Sequence, residues 1–301
     1  MLLIAFGGPG KPEDIRPFLD IVTAGRRISP SRIAEVAHHY EIIGGRSPLT
    51  ELTMRQAEAL GEALHRLGRA EAVYVGMRNW HPFLQETLES MRARGHRRAL
   101  GVILSSLQTE ASWERYVADV VAARERVGAG APEVSYAPPW ADHPLFIDAM
   151  AARAADALAE VPPARRDSTL LVFTAHSVPV AMAAGSPYSR QFEATAHTVA
   201  AHLGHFRWQV AYQSRSGAPS DPWLEPDICD VLRGLAGTET TSVVVLPIGF
   251  VCDHVEVLYD LDVEARAVAE GIGVSFHRAQ TANDHPAFIA MLADLVERGP
   301  R

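Results

Sequence analysis

Short apolar runs alternate with longer amphipathic stretches from one end of the chain to the other. Residues 2–6, 72–76, 99–105 and 133–137 make a first set of runs, and residues 169–174, 208–213, 242–250 and 273–276 a second. Most are nearly continuous in Leu, Ile, Val and Ala rather than alternating with polar residues, as strands buried on both faces are. Between them, stretches such as "ELTMRQAEALGEALHRLG" and "HPLFIDAMAARAADALAEV" repeat apolar positions at helical spacing. Strands alternating with helices predict parallel sheets covered by helices. Two sets of four strands predict an α/β protein of two similar halves, residues 1–140 and 141–301, joined near "PPWADHP". A final helix over 286–297 is placed to pack back on the first half. Ligands of open α/β sheets bind beyond the carboxyl ends of the strands, so the loops after those ends are the candidate sites.

Composition narrows the partners. The formal charge is 28 − 36 = −8 with no basic block, which argues against nucleic acid, whose phosphates call for clustered Lys and Arg. An acidic balance suits a cationic substrate such as a metal ion. No apolar run reaches the roughly 18–20 residues of a membrane span. The opening "MLLIAFGGPG" has neither a basic leader nor a small-residue cleavage site and reads as a first strand. The cytoplasm is the expected compartment. Two cysteines, Cys229 and Cys252, cannot build a disulfide framework or a four-thiolate cluster.

Four loops carry candidate chemistry. "AFGGPGKPED" follows the first run, but its glycines match no phosphate-binding pattern and its prolines remove backbone donors. In "LLVFTAHSVP", His176 stands just past an apolar strand, where a neutral imidazole can ligate a metal or accept a proton. In "AYQSRSGAPSDPWLEPD", Trp223 either plugs a gap between elements or forms the rim for a flat ligand. The fourth is "GFVCDHVEVLYDLDVEA", which places Asp253, His254, Glu256, Asp260, Asp262 and Glu264 on an expected helix. Glu256, Asp260 and Glu264 are spaced i, i+4, i+8 and share one face there. Like charges so spaced cost roughly 0.2–0.5 kcal/mol per pair on an exposed helix. Glu256 sits among Val255, Val257 and Leu258, and a carboxylate entering an apolar cleft suits a general base or a metal ligand.

Taken in order, "FGGP", "HYEIIGGRSPL", "GMRNWHPF", "FTAHSVP", "YQSRSGAPSDPWLEPD" and "LPIGFVCDHVEVLYDLDVE" resemble the ferrochelatases, enzymes that insert ferrous iron into a porphyrin. The resemblance implies two Rossmann-like halves with a porphyrin cleft between them. It implies that His176 and Glu256 face one another across the macrocycle as the catalytic pair and metal ligands, with Asp260 and Glu264 continuing an acidic row. In the family that row often lies on a wide π-type turn. Phe6, Arg26, Ser47 and Arg78 fall in matching segments and are expected, with Trp223, to hold the substrate.

The sequence departs from the family pattern in three places. Phe6 stands where relatives carry a tyrosine or methionine near the metal. "SSLQTEASWERY" puts an aromatic where a proline–histidine or proline–glutamine is usual. The Cys-rich segment that holds an iron–sulfur cluster in some relatives is absent. The expectation is therefore Fe2+ as substrate, no permanently bound cofactor and no cluster. A monomer with transient partners of the haem pathway is expected, with coproporphyrin III weakly preferred over protoporphyrin IX. The competing expectations are a cobalt or nickel chelatase, a haem carrier without catalysis and, more distantly, a nucleotide-binding protein.

Overall fold

The computed structural model describes residues 1–26, 28–217 and 221–299. Part of the "YQSRSGAPSDPWLEPD" motif, residues 218–220, lies outside the described residues. The chain forms two compact units. One gathers Met1–Ser105, Ala111–Pro139 and the residues from Ile289 onward; the other gathers Ser106–Glu110 and Trp140–Phe288. Two stretches thus depart from a simple division at residue 140. Ser106–Glu110 is fastened within the second unit: Ser106 Oγ donates to the Ile248 carbonyl at 2.9 Å, Gln108 N donates to Gln191 Oε1 at 2.9 Å, and Gln191 Nε2 donates to Gln108 Oε1 at 3.0 Å.

All eight apolar runs form strands. In the first unit these are β1 (Leu2–Ala5), β2 (Tyr74–Met77), β3 (Arg98–Ile103) and β4 (Glu133–Tyr136), in the parallel order β2-β1-β3-β4. In the second they are β5 (Leu170–His176), β6 (Trp208–Gln213), β7 (Ser242–Leu246) and β8 (Ser275–Arg278), in the parallel order β6-β5-β7-β8. Counted within its own unit, each sheet runs second, first, third, fourth. The central strands β1 and β7 are buried along their whole length, which is why they read as unbroken apolar runs.

Strand ends differ from expectation where backbone chemistry intervenes. The run over 242–250 stops pairing at Leu246, because Pro247 has no N–H for the ladder. Conversely β5 continues to His176, which pairs in register with Gln213. The histidine is the last residue of the strand rather than the first beyond it. The helix Pro144–Glu160 starts on a proline and is capped by His143, whose Nδ1 accepts from Leu145 N at 3.2 Å. Its Phe146 meets Trp140 and Phe288 edge to face, and these three rings anchor the core of the second unit.

Candidate active site

The stretch 249–265 does not begin as a helix. Gly249 passes so close to β5 that a Cβ there would lie 2.6 Å from the Ala175 Cβ; only glycine fits. Phe250 to Asp253 form a loop, and His254 stands in extended backbone as the N-cap of the helical turn Val255–Leu258. Asp253 and His254 therefore precede the helix on which the sequence pattern placed them. Next comes a π-type turn over Asp260–Ala265, and then the helix Arg266–Gly271. The Tyr259 carbonyl accepts from both Val263 N at 3.1 Å and Glu264 N at 3.0 Å, so the turn is widened by one residue.

The widening keeps two stripes straight. A regular helix carries residues four apart about 40° round the axis at each step. Val257, Leu261, Ala265 and Ala269 are spaced by four and are all fully buried in one core. The wide turn takes up the drift, and the row Glu256, Asp260, Glu264, one position earlier, is kept in line with it.

At the head of that row, His176 Nε2 lies 3.6 Å from Glu256 Oε1, and His254 Nε2 lies 3.3 Å from Glu256 Oε2. Two imidazoles thus share one carboxylate. Each ring is fixed from its other side: His176 Nδ1 donates to the Ser177 carbonyl and His254 Nδ1 to the Cys252 carbonyl. The Tyr188 hydroxyl donates to the His176 carbonyl at 2.7 Å, and Gln213 Nε2 donates to the Glu256 carbonyl at 2.6 Å. The Phe250 ring lies 6.5 Å from that of His176 and 4.9 Å from that of His254.

Charge is strongly organised here. Burial discourages a charged imidazole at His176, but the Glu256 carboxylate and the Ser177 carbonyl outweigh it and raise its proton affinity. Burial likewise pushes Glu256 up, yet the two histidines pull harder and hold it well below the usual carboxylate range. Asp260 behaves oppositely. Burial, assisted by Glu256 and Glu264, pushes its pKa up to about 7 against the hydrogen bond from Ser214 Oγ. One carboxylate is thus held ionised and the next titrates near neutrality, a division of labour that suits proton transfer. Burial also pushes the Cys229 thiol up to about 12, so it offers no thiolate.

Not every acid of the stretch belongs to this row. Asp253 and Asp262 both bind Arg278, through Nη1 at 3.0 Å and Nε at 2.7 Å. Among the described residues, no three His, Cys, Asp or Glu side chains form a ready metal cage. His176, Glu256 and Asp260 make an open row instead.

The remaining candidates are placed differently. Trp223 lies against Gly217, where a Cβ would meet its ring within 2.5 Å, and its backbone bridges to Pro179. Phe6 in the first unit is 39% exposed at the end of β1, its ring 6.4 Å from that of Phe18. The Arg78 guanidinium stacks 4.4 Å from the Tyr116 ring centre, and its Nε is paired with Asp119. Ser47 is buried, accepts from Leu49 N at 3.3 Å and packs where Gly8 leaves no room for a Cβ. Arg26 is exposed just beyond the helix Pro12–Thr23. An open cavity of about 600 Å³, lined by Met1, Arg69, Tyr74, His96 and Arg98, lies at the amino ends of β1–β3. That is the wrong end of a parallel sheet for a ligand site.

Sequence reasoning passed over His254, Gln213, Ser214, Tyr188 and Arg278. His254, Gln213 and Ser214 lie inside the family motifs. What hid them was not residue type but partnership across the sheet.

A family model described as Ferrochelatase matches residues 1–299. The chain belongs to the ferrochelatase family. It is 45% identical over 300 residues to the coproporphyrin III ferrochelatase of Mycobacterium avium (strain 104), covering 99% of this chain and 87% of the relative. It is 43% identical over 304 residues to the coproporphyrin III ferrochelatase of Nocardia farcinica, covering 98% and 86%. Among solved structures, SirB from Bacillus subtilis with Fe3+ aligns with a TM-score of 0.60 at 12% identity, covering 99% of this chain and 93% of that one. CbiX, the terminal enzyme for biosynthesis of siroheme in denitrifying bacteria, aligns at 0.54 and 15%, covering 100% and 99%. These two likenesses concern the fold. As a ferrochelatase-family member the chain is an enzyme that inserts metal into a porphyrin.

Proposed function

We propose that this ferrochelatase inserts Fe2+ into coproporphyrin III, with release of two protons, in haem synthesis. The observation that carries the mechanism is the His176–Glu256 pair at 3.6 Å with Asp260 behind it, at the carboxyl ends of β5 and β7. The choice of porphyrin is supported by the names of relatives at 42–45% identity over nearly the whole chain.

A free-base porphyrin must lose two pyrrole protons as the metal enters. His176 is assigned to receive them in turn, with the ionised Glu256 opposite balancing the imidazolium; the imidazole's ordinary range lies near neutral pH. Asp260, titrating near 7, takes protons onward. The same oxygens guide Fe2+ inward, since hard carboxylates suit a hydrated ferrous ion without trapping it as thiolates would. A macrocycle bent toward His176 exposes its nitrogen lone pairs, and binding the bent form better than the flat one lowers the barrier. Substrate contacts are assigned to Phe6, Arg26, Ser47, Arg78 and Trp223.

Iron is substrate here, and no permanent cofactor is assigned. With two cysteines, one of them buried, no iron–sulfur cluster is assigned either; cluster absorbance in anaerobically purified protein would refute that. Monomeric action in the cytoplasm completes the assignment. No helix among the described residues is long and apolar enough to cross a membrane.

The deciding experiment is anaerobic Fe2+ insertion followed by absorbance, with coproporphyrin III and protoporphyrin IX in parallel and Co2+ as control metal. Higher kcat/KM for Fe2+ with coproporphyrin III is expected. Preference for protoporphyrin IX would overturn the substrate, and turnover only with Co2+ would overturn the metal.

A further inference from the structure

The acidic row stays straight only while the turn after Tyr259 stays wide, and two side chains outside the row act on that turn. The strands β6 and β8 are the two edges of the second sheet. Ser214, the residue after β6, donates to Asp260 Oδ2. Arg278, the last residue of β8, donates to Asp262 Oδ1 at 2.7 Å. Residues two apart on a helix do not share a face. Neighbouring carboxylates of one turn are therefore drawn toward opposite sheet edges, which stand three strand spacings or roughly 14 Å apart.

Both tethers are built firmly. Ser214 holds a φ of +64°, an uncommon left-handed conformation for a side-chain residue, and so aims its hydroxyl at Asp260. The Arg278 side chain is only 12% exposed and also binds Asp253 Oδ1 at 3.0 Å. Asp253 is in turn held by Asn283 Nδ2 at 3.2 Å, while Asn283 Oδ1 accepts from Asp253 N at 3.0 Å and from Thr281 Oγ1 at 2.9 Å. Arg278 thus joins the loop that carries His254 to the turn that carries Asp260.

We propose that Ser214 and Arg278 are positioning residues for metal insertion. Acting through Asp260 and Asp262, they hold the turn wide and keep Glu264 in line behind Asp260 and Glu256. This rests on the row being the path of Fe2+ and protons. With a tether cut, the extra residue is free to shift along the helix, and each position it passes turns by about 100°.

Removing Arg278 would strand two largely buried carboxylates and threaten folding. Asp262→Asn keeps the size and cuts the charged tether; Ser214→Ala cuts the other. The first measurement is amide hydrogen exchange at Val263 and Glu264, with Val172 and Val244 of the sheet as references. Exchange at the first two should quicken about tenfold or more in Asp262→Asn while the references hold, as for a local rather than global opening. The second is anaerobic insertion into coproporphyrin III with Fe2+ varied. Here kcat/KM for Fe2+ should fall about tenfold, the lower end of the range for lost outer-shell partners, with the porphyrin KM within twofold. Ser214→Ala should show the same pattern more weakly, and the double variant a larger loss than either.

Unchanged exchange in Asp262→Asn overturns the tether. Faster exchange with unchanged Fe2+ kinetics overturns the positioning role. If the unaltered enzyme inserts no iron at all, the proposed function fails, and the exchange result still decides whether the tethers exist.

Discussion

The two sheets share one strand order, β2-β1-β3-β4 in the first unit and β6-β5-β7-β8 in the second, yet the residues at their carboxyl ends differ in kind. Beyond β1 and β2 stand Phe6, two glycines and Arg78, whose guanidinium already has an acidic partner and an aromatic bed. At the end of β5 and beyond β7 stand a histidine–glutamate pair, a second histidine and a carboxylate titrating near neutrality. The first frame carries apolar surface and satisfied charge; the second carries charge held away from its ordinary proton affinity. A repeated architecture leaves chemistry to the loops, and here the proton and metal chemistry is assigned to one of the two.

The largest effects should follow from altering the second unit. Replacing His176 with Ala should lower iron insertion by at least about a hundredfold, the lower bound for a lost general acid–base group, with little loss of fold. Near-normal turnover would end the assignment. Glu256→Gln should be nearly as severe and adds a direct readout. With the carboxylate gone, burial is opposed only by the Ser177 carbonyl and Asp260, so the His176 pKa should fall. Titration of the ring by NMR checks this, and a pKa that stays raised would mean another group holds the proton.

Asp260 gives an effect of opposite sign on stability. Its pKa in the fold is about 7 against an ordinary 3.8. Between those values the folded chain holds a proton that the unfolded chain releases, so this group's contribution to stability rises as pH falls from about 7 toward 3.8. Above 7 the charge is carried at a cost. Asp260→Asn should therefore raise Tm at pH 8 and change it little at pH 4.5, while lowering insertion about tenfold as outer-shell losses do. Such a trade of activity for stability is expected where a site stores an unfavourable charge. A fall in Tm at pH 8 would show that the hydrogen bond from Ser214 outweighs burial.

The contrast between the units also marks what a sequence can disclose. The central strands β1 and β7 were legible because buried parallel strands have no polar face to interrupt them; the edge strands β4 and β8 keep exposed positions. The acidic row was visible as a spacing of four; the apolar stripe Val257, Leu261, Ala265 beside it has the same spacing but emerged only with the fold. A long stripe at that spacing is itself a sign that the helix is not regular. Less was legible where the partner is distant in sequence. Ser214 and Asp260 are 46 residues apart, and Arg278 and Asp262 are 16 apart; nothing local pairs them. Ser47 and Arg78 are expected by segment to hold the substrate; that Ser47 packs against Gly8 and Arg78 pairs with Asp119 is visible only in the fold. Whether a polar side chain is already satisfied is a property of the fold.

The smallest effect sharpens the contrast from the other side. Phe6 is 39% exposed and meets Phe18 edge to face at 6.4 Å, with the Arg78 guanidinium 6.0 Å from its ring centre. Its ring offers a flat apolar surface and neither a proton nor a metal ligand. Phe6→Ala should leave the proton path of the second unit untouched, so kcat should stay within about twofold. The porphyrin KM should rise about two- to tenfold, the loss expected for one aromatic contact. Partial exposure limits the loss of stability, so Tm should fall by only a few degrees. Steady-state kinetics with the porphyrin varied at saturating Fe2+ separates the two constants. A collapse of kcat comparable to that of His176→Ala would mean that the first unit shares in the chemistry, and the division drawn between the two sheets would have to be abandoned.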